Sequence, residues 1–137
     1  MTPLATESFL LVRLMKGKFI MRASPGFNIV DMVTTIEWYE HFLGFECTFS
    51  VPGESVPPYA IVEKDNICIH LSFDRTNSLA GTGFCYIETE NIDELYETLN
   101  EAGVIFVREI ENSSYGMRDF VIKDYEGNKI NFGMSQT

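Results

Sequence analysis

The sequence predicts an α+β fold: two tandem βαβββ modules pairing into a cupped mixed sheet, with the helices on its outer face. Three observations carry this expectation. The order strand, helix, three strands occurs twice along the chain. Leu43-Gly44-Phe45 ends the first predicted helix as Ala102-Gly103-Val104 ends the second, 59 positions later. The stretch from Tyr115 to Phe132 alternates apolar positions, Phe120 and Ile122 and then Ile130 and Phe132, on either side of Glu126-Gly127-Asn128, as a tight hairpin does. One βαβββ unit leaves a sheet face bare, and two of them can curve together around a cup.

The first module spans about residues 25–74. Phe27 and Ile29 predict a short strand. Met32, Ile36, Tyr39 and Leu43 form one stripe of a helix over Met32–Leu43, with Asp31 as its start signal and Gly44 as its left-handed end. Phe45–Ser50 reads as a strand, and Val51–Pro58, with its prolines and glycine, as a loop. Tyr59–Glu63 and Ile67–Phe73 make a hairpin across Lys64-Asp65-Asn66. In the second of these strands Ile67, Ile69, Leu71 and Phe73 face one way and Cys68, His70 and Ser72 the other.

A polar linker, Arg75–Gly83, leads to the second module, about residues 82–134. Phe84–Thr89 is a strand. A helix follows over Asn91–Ala102 with Ile92, Leu95, Leu99 and Ala102 inward, and Asn91 with Glu94 resembles a capping box. Val104–Ile110 is a strand, Glu111–Ser114 a loop, and the hairpin closes the pattern. Residues 22–137 therefore read as one domain. Residues 1–21 stand outside the pattern as an arm, an added edge strand, or a leader upstream of a true start at Met21. Mass spectrometry of the protein from its native source tests the last idea.

Composition narrows the function classes. The chain has 137 residues, 45% of them hydrophobic, and a formal net charge of −10, enough for one buried core. Such a charge repels phosphate backbones, which argues against nucleic acid, and attracts cationic ligands. No apolar run approaches the roughly 18 residues of a membrane span. Basic residues follow Phe9–Val12 instead of preceding it, unlike a signal peptide. Cys47, Cys68 and Cys85 form no Cys-x-x-Cys pair and read as small core residues of a protein in a reducing, cytoplasmic compartment. No nucleophile motif or phosphate loop is present. Arg118 and Asp119, as neighbours on a strand, point to opposite faces and so do not act on one substrate.

The run Tyr115-Gly116-Met117-Arg118-Asp119-Phe120, followed by Asp124-Tyr125-Glu126-Gly127-Asn128 and an alternating last strand, resembles the C-terminal signature of the glyoxalase/bleomycin-resistance superfamily, also called vicinal oxygen chelate proteins. It is most similar to the bleomycin-resistance branch, with Tyr115 where that branch has tryptophan. The resemblance covers roughly Gly26 to Gly133. It implies a homodimer with grooves between subunits that sequester a small molecule, and in other branches a divalent cation held by histidine and glutamate from both modules. The positions corresponding to those ligands here are Ser24, His70, Gly83 and Asn131. One histidine among them does not make a metal site, so neither a metal nor another cofactor is expected.

Five residues are candidates for ligand contact. His70 and Asn131 are expected on the cup face, each with an alternative reading as a polar residue on a wet sheet. Tyr115, in a loop before a strand, is placed to stack on a flat ring or to pack at an edge. Phe49 and Tyr59 flank the proline-rich loop, as groove wall or as core. His41 and the carboxylates of Glu88, Glu90, Asp93, Glu94, Glu97 and Glu101 read as solvated helix surface. Two functions compete. The first is a metal-free protein sequestering a cationic or aromatic drug-like ligand. The second is a metal-dependent lyase, transferase or dioxygenase, and a small-metabolite sensor on the same scaffold is not separable from the first.

Overall fold

The computed structural model describes residues 21–53 and 55–136, together with Lys16. Apart from Lys16 and Met21, the N-terminal extension expected over residues 1–21 lies outside the described residues. The chain runs β1 (Gly26–Ile29), α1 (Met32–Leu43), β2 (Glu46–Ser50), β3 (Tyr59–Lys64), β4 (Ile67–Phe73), β5 (Phe84–Glu88), α2 (Ile92–Ala102), β6 (Ile105–Asn112), β7 (Met117–Lys123) and β8 (Lys129–Ser135). The α+β class and the doubled strand-helix-three-strand order are as expected.

Each module makes its own four-stranded sheet, in the order β1-β4-β3-β2 and β5-β8-β7-β6. In each, the first strand lies parallel to the last, because a helix carries the chain across, and the other pairings are antiparallel. Among the described strands no ladder joins the two sheets. Their helix-bearing faces share a single core instead, which includes Phe27, Ile69 and Leu71 from the first sheet and Phe120, Ile122 and Ile130 from the second. Burying each such side chain contributes about 1.5–3 kcal/mol.

Helix α1 forms as its sequence dictates. The Asp31 carboxylate accepts from the Thr34 amide at 3.1 Å, and Gly44 adopts φ 68° to close the C-terminus. Met32, Thr35, Tyr39 and Leu43 are buried, with Ile36 half-buried beside them. Helix α2 departs from expectation at its start. Asn91 sits in the left-handed region, φ 53°, and makes no side-chain cap, so the Asn91–Glu94 capping box does not form. Asp93 and Glu94 in the first turn face the positive end of the helix dipole instead. Of its stripe, Ile92 and Leu99 are buried, while Ala102 is exposed at the last turn. Strand β6 continues to Asn112, two residues beyond the predicted end, because Glu111 and Asn112 pair with Asp119 and Arg118. Of the three cysteines only Cys68 is buried.

The modules interlock where the linker crosses. Gly81 N–H donates to the Asn28 carbonyl at 3.1 Å, Gly83 N–H to Asn128 Oδ1 at 2.8 Å, and Lys129 N–H to the Gly83 carbonyl at 2.9 Å. From the other side, Glu126 Oε2 accepts from the Asp31 amide at 2.8 Å and from Thr35 Oγ1 at 3.4 Å. The final hairpin of one module is thereby tied to the first helix of the other.

Candidate functional site

With both helices on the core side, each sheet is left with one helix-free face, and the predicted site residues lie there. On the first sheet the alternation of β4 sends Ile69 and Leu71 into the core and His70 to the opposite side. Ile61 pairs with His70 across β3–β4, and Phe49 pairs with Ile61 across β2–β3. Phe49 reaches this face through a bulge. Cys47 pairs with Val62, on the core side, and the register then shifts so that Phe49 meets Ile61. Its ring is 46% exposed. Tyr59 completes the group. Its hydroxyl hydrogen-bonds His70 Nδ1, and the two rings meet edge-on at 5.6 Å and 76°. With Tyr59 as donor, the imidazole proton resides on Nε2, which remains available to a ligand.

On the second sheet, Tyr115 joins a network centred on Asp119, a residue that its place beside Arg118 does not single out in the sequence. Asp119 is fully buried, and its Oδ2 accepts from the Tyr115 hydroxyl at 2.6 Å and the Tyr86 hydroxyl at 3.0 Å. Its Oδ1 accepts from Arg108 Nη2 at 2.5 Å, and Arg108 also reaches Glu111 at 3.0 Å. Burial alone would raise the Asp119 pKa, but the bonds from Tyr115, Arg108 and Tyr86 together hold it below the usual carboxylate range. Desolvation, and then the bond to Asp119, pushes the Tyr86 phenol up to about 12.

Asn131 lies opposite Tyr86 and Val121 in β8, only 8% exposed, and among the described residues its Oδ1 has no hydrogen-bond partner. Such a group costs about 1–3 kcal/mol when left unpaired. Arg118 points the other way, as its strand position requires, and grips Asp93 of α2 with Nη2 at 2.6 Å. It is a brace for the helix.

The structure thus brings Phe49, Tyr59 and His70 together on one sheet, and Tyr115 and Asn131 together on the other. Among the described residues no hydrogen bond or ring contact joins the two groups. Tyr86, Arg108 and Gly133 escape a reading of the sequence alone. The available signal for Tyr86 is its place mid-strand in β5, where its alternation opposes the inward Cys85 and Ile87. A separate groove of about 400 Å³ lies on the helix side, lined among others by Phe42, Leu43, Leu95, Leu99 and Phe132. It includes none of the predicted residues.

The four positions at which related folds hold a cation do not fit one here. Ser24 is exposed, and His70 keeps one open ring nitrogen but is a lone imidazole. Asn131 is a neutral amide. Gly83 has no donor and no room for one, since a Cβ there would lie 2.5 Å from Phe27 Cδ1 and 2.9 Å from Asn128 Oδ1. Among the described residues no group of three or more histidine, cysteine, aspartate or glutamate side chains is placed to hold a metal ion.

Residues 23–132 match the family model described as Glyoxalase/Bleomycin resistance protein/Dioxygenase superfamily. Bleomycin resistance proteins of Geobacillus stearothermophilus and Staphylococcus aureus are 27% identical over 131 residues, covering 82% of this chain and 96% of theirs. The bleomycin-binding protein of Streptomyces verticillus, solved with copper(II)-bleomycin, superposes with a TM-score of 0.70 at 24% identity, covering 83% of this chain and 95% of that one. TioX from Micromonospora sp. ML1 superposes with a TM-score of 0.70 at 17% identity, covering 85% and 99%. At these identities the two superpositions speak for the fold, and the family model covers most of the chain. The chain belongs to the glyoxalase/bleomycin resistance protein/dioxygenase superfamily.

Proposed function

We propose that this protein is a small-molecule binder that sequesters an aromatic or cationic drug-like ligand, without a metal and without breaking a bond. The observation that carries this reading is the pair of helix-free faces. Each bears exposed aromatic side chains beside a polar group, and in this reading each supplies half of a groove. Two copies, with the first sheet of one set against the second sheet of the other, would enclose a ligand between Phe49, Tyr59 and His70 on one wall and Tyr115 and Asn131 on the opposite wall. The likeness to bleomycin resistance proteins supports the ligand class. The formal charge of −10 favours cations by long-range attraction. The three cysteines are free, which fits a reducing, cytoplasmic setting.

The test is a titration of the full chain with bleomycin at low salt, followed by tyrosine and tryptophan fluorescence, alongside light scattering on a sizing column. A saturable change at micromolar protein that weakens as salt is added, from a dimeric species, is the expected result. No saturable change overturns the proposal for this drug, and a strictly monomeric protein removes the groove.

A further inference from the structure

Tyr86 comes from β5 and Tyr115 from the turn before β7, yet their hydroxyls converge on a single atom, Asp119 Oδ2. The carboxylate itself is fully buried, while the side chains it holds are open: Tyr86 is 37% exposed and Tyr115 65%. The polar ends of both rings are therefore committed inward and their carbon faces are left outward. Gly133 makes this possible. It lies opposite Asp119 in β7–β8 and opposite Glu88 in β5–β8, and a Cβ on it would stand 1.9 Å from the Tyr86 hydroxyl oxygen. Only a residue without a side chain lets Tyr86 lie across to Asp119. Two residues along β8, and paired with Tyr86 itself, is Asn131, nine-tenths buried with an amide oxygen that nothing among the described residues satisfies.

The ionic groups on this face leave an excess of negative charge. Arg108 is shared by Asp119 and Glu111, and Glu88, exposed on the Tyr86 side of β5, is in none of the described ion pairs. An anionic ligand group therefore meets like charge here and finds no free guanidinium. What the face offers is two ring surfaces and one unsatisfied amide.

We infer that Asp119 is the positioning residue of a two-tyrosine platform, Tyr86 and Tyr115, which takes a flat ring whose edge carries an amide-like N–H that donates to Asn131 Oδ1. The inference rests on the proposal that this face binds a ligand, and it names the part of the ligand that is bound there.

The probe is 2-naphthamide, a flat neutral ring with an edge amide, titrated into the full chain and read by the NMR signals of the tyrosine rings and the Asn131 side-chain amide. 2-Naphthoate, the same ring with a carboxylate edge that has no N–H to donate, serves as the comparison. The expected result is saturable perturbation of Tyr86, Tyr115 and Asn131 by 2-naphthamide, with 2-naphthoate binding several-fold more weakly at this face. Asn131→Leu is expected to weaken 2-naphthamide about tenfold.

Asp119→Asn is expected to weaken it to a similar degree. The same variant should lower the pH at which Tyr86 titrates by absorbance, burial keeping the rest of the shift. The affinity loss should come with an unchanged folded fraction, which separates positioning from loss of fold. Should Asp119→Asn fail to fold, the double variant Tyr86→Phe with Tyr115→Phe keeps both rings and unties their hydroxyls, and it is expected to lose affinity likewise.

Absence of tyrosine perturbation up to 10 mM probe overturns the inference. So does an untied variant that binds as the parent does, or tighter binding of 2-naphthoate at this face. If bleomycin fails to bind but 2-naphthamide behaves as described, the drug assignment falls and the platform stands. If bleomycin binds and the tyrosine signals stay still, the platform falls and the sequestration reading stands.

Discussion

Tyr39, in the middle of α1, donates its hydroxyl to Asp124 Oδ2 at 2.7 Å, and so fastens the helix of the first module to the closing turn of the second. Both residues are buried. The other oxygen of Asp124 accepts from the amides of Glu126, Gly127 and Asn128, each at 2.9 Å, and shapes the turn. Burial, and then the nearby carboxylate, raises the Tyr39 pKa well above its ordinary value. Tyr39→Phe keeps the ring and removes one bond to a charged acceptor. It is expected to cost about 1.5–3 kcal/mol of stability in urea denaturation. A loss below about 0.5 kcal/mol would mean that the bond does not couple the modules.

Gly81 is the tightest point of the crossing. Its φ is +75°, and a Cβ built there would lie 2.3 Å from the Glu126 carbonyl oxygen, a backbone atom that cannot swing aside. Gly81→Ala combines a left-handed conformation with this overlap and is expected to destabilise by more than about 2 kcal/mol. Gly53 is the control, with φ +85° and nothing within 4 Å of where a Cβ would stand. Gly53→Ala meets only the backbone penalty, so it should cost clearly less, and equal losses would contradict the packing account.

The Asp119 network gives opposite pH signs at its two ends. The folded Asp119 pKa is lowered, so its contribution is present above the unfolded carboxylate value and is lost as pH falls through the folded one. The folded Tyr86 pKa is raised to about 12, so its contribution is full below the unfolded value near 10 and disappears as pH rises toward 12. Stability should therefore decline in acid below the ordinary carboxylate range and again between about pH 10 and 12. Asp119→Asn should flatten the acid limb and shift the alkaline one downward. Urea midpoints across pH, with absorbance near 295 nm for phenolate, measure both.

Metal content is a direct check on the donor geometry. Protein purified without chelator is expected to carry less than a stoichiometric amount of any divalent ion. Gly83 supplies no donor and no space for one, which leaves His70 without a second ligand among the described residues. Finding one ion per chain by elemental analysis, lost in His70→Ala, would show that a second copy supplies ligands.

Much of the fold was legible because its periodicities are local. The i, i+4, i+7 spacing of Met32, Ile36 and Tyr39, and the period-2 pattern from Ile67 to Phe73, need no knowledge of partners. Gly44 and Gly103 mark the helix ends by the left-handed conformation that each adopts. The same alternation placed His70 and Asn131 on helix-free faces and separated Arg118 from Asp119. Asn91 misled because its residue type suits a cap, whereas its backbone took a left-handed conformation that leaves the cap unmade. Phe49 faces the same side as His70 only because a bulge shifts the register of β2, which no two-residue count reveals.

The sequence by itself determined the elements, their doubled order and the family, since these follow from short-range backbone preferences and from a contiguous motif. Tertiary structure decided that Tyr86, Arg108 and Tyr115 meet at Asp119, and that Asn131 beside them keeps an unpaired oxygen. It also decided that the helix-bearing faces are spent on a common core. Those outcomes depend on strand register and on close approaches such as Tyr86 over Gly133, distances between residues far apart in the chain that composition and spacing do not encode.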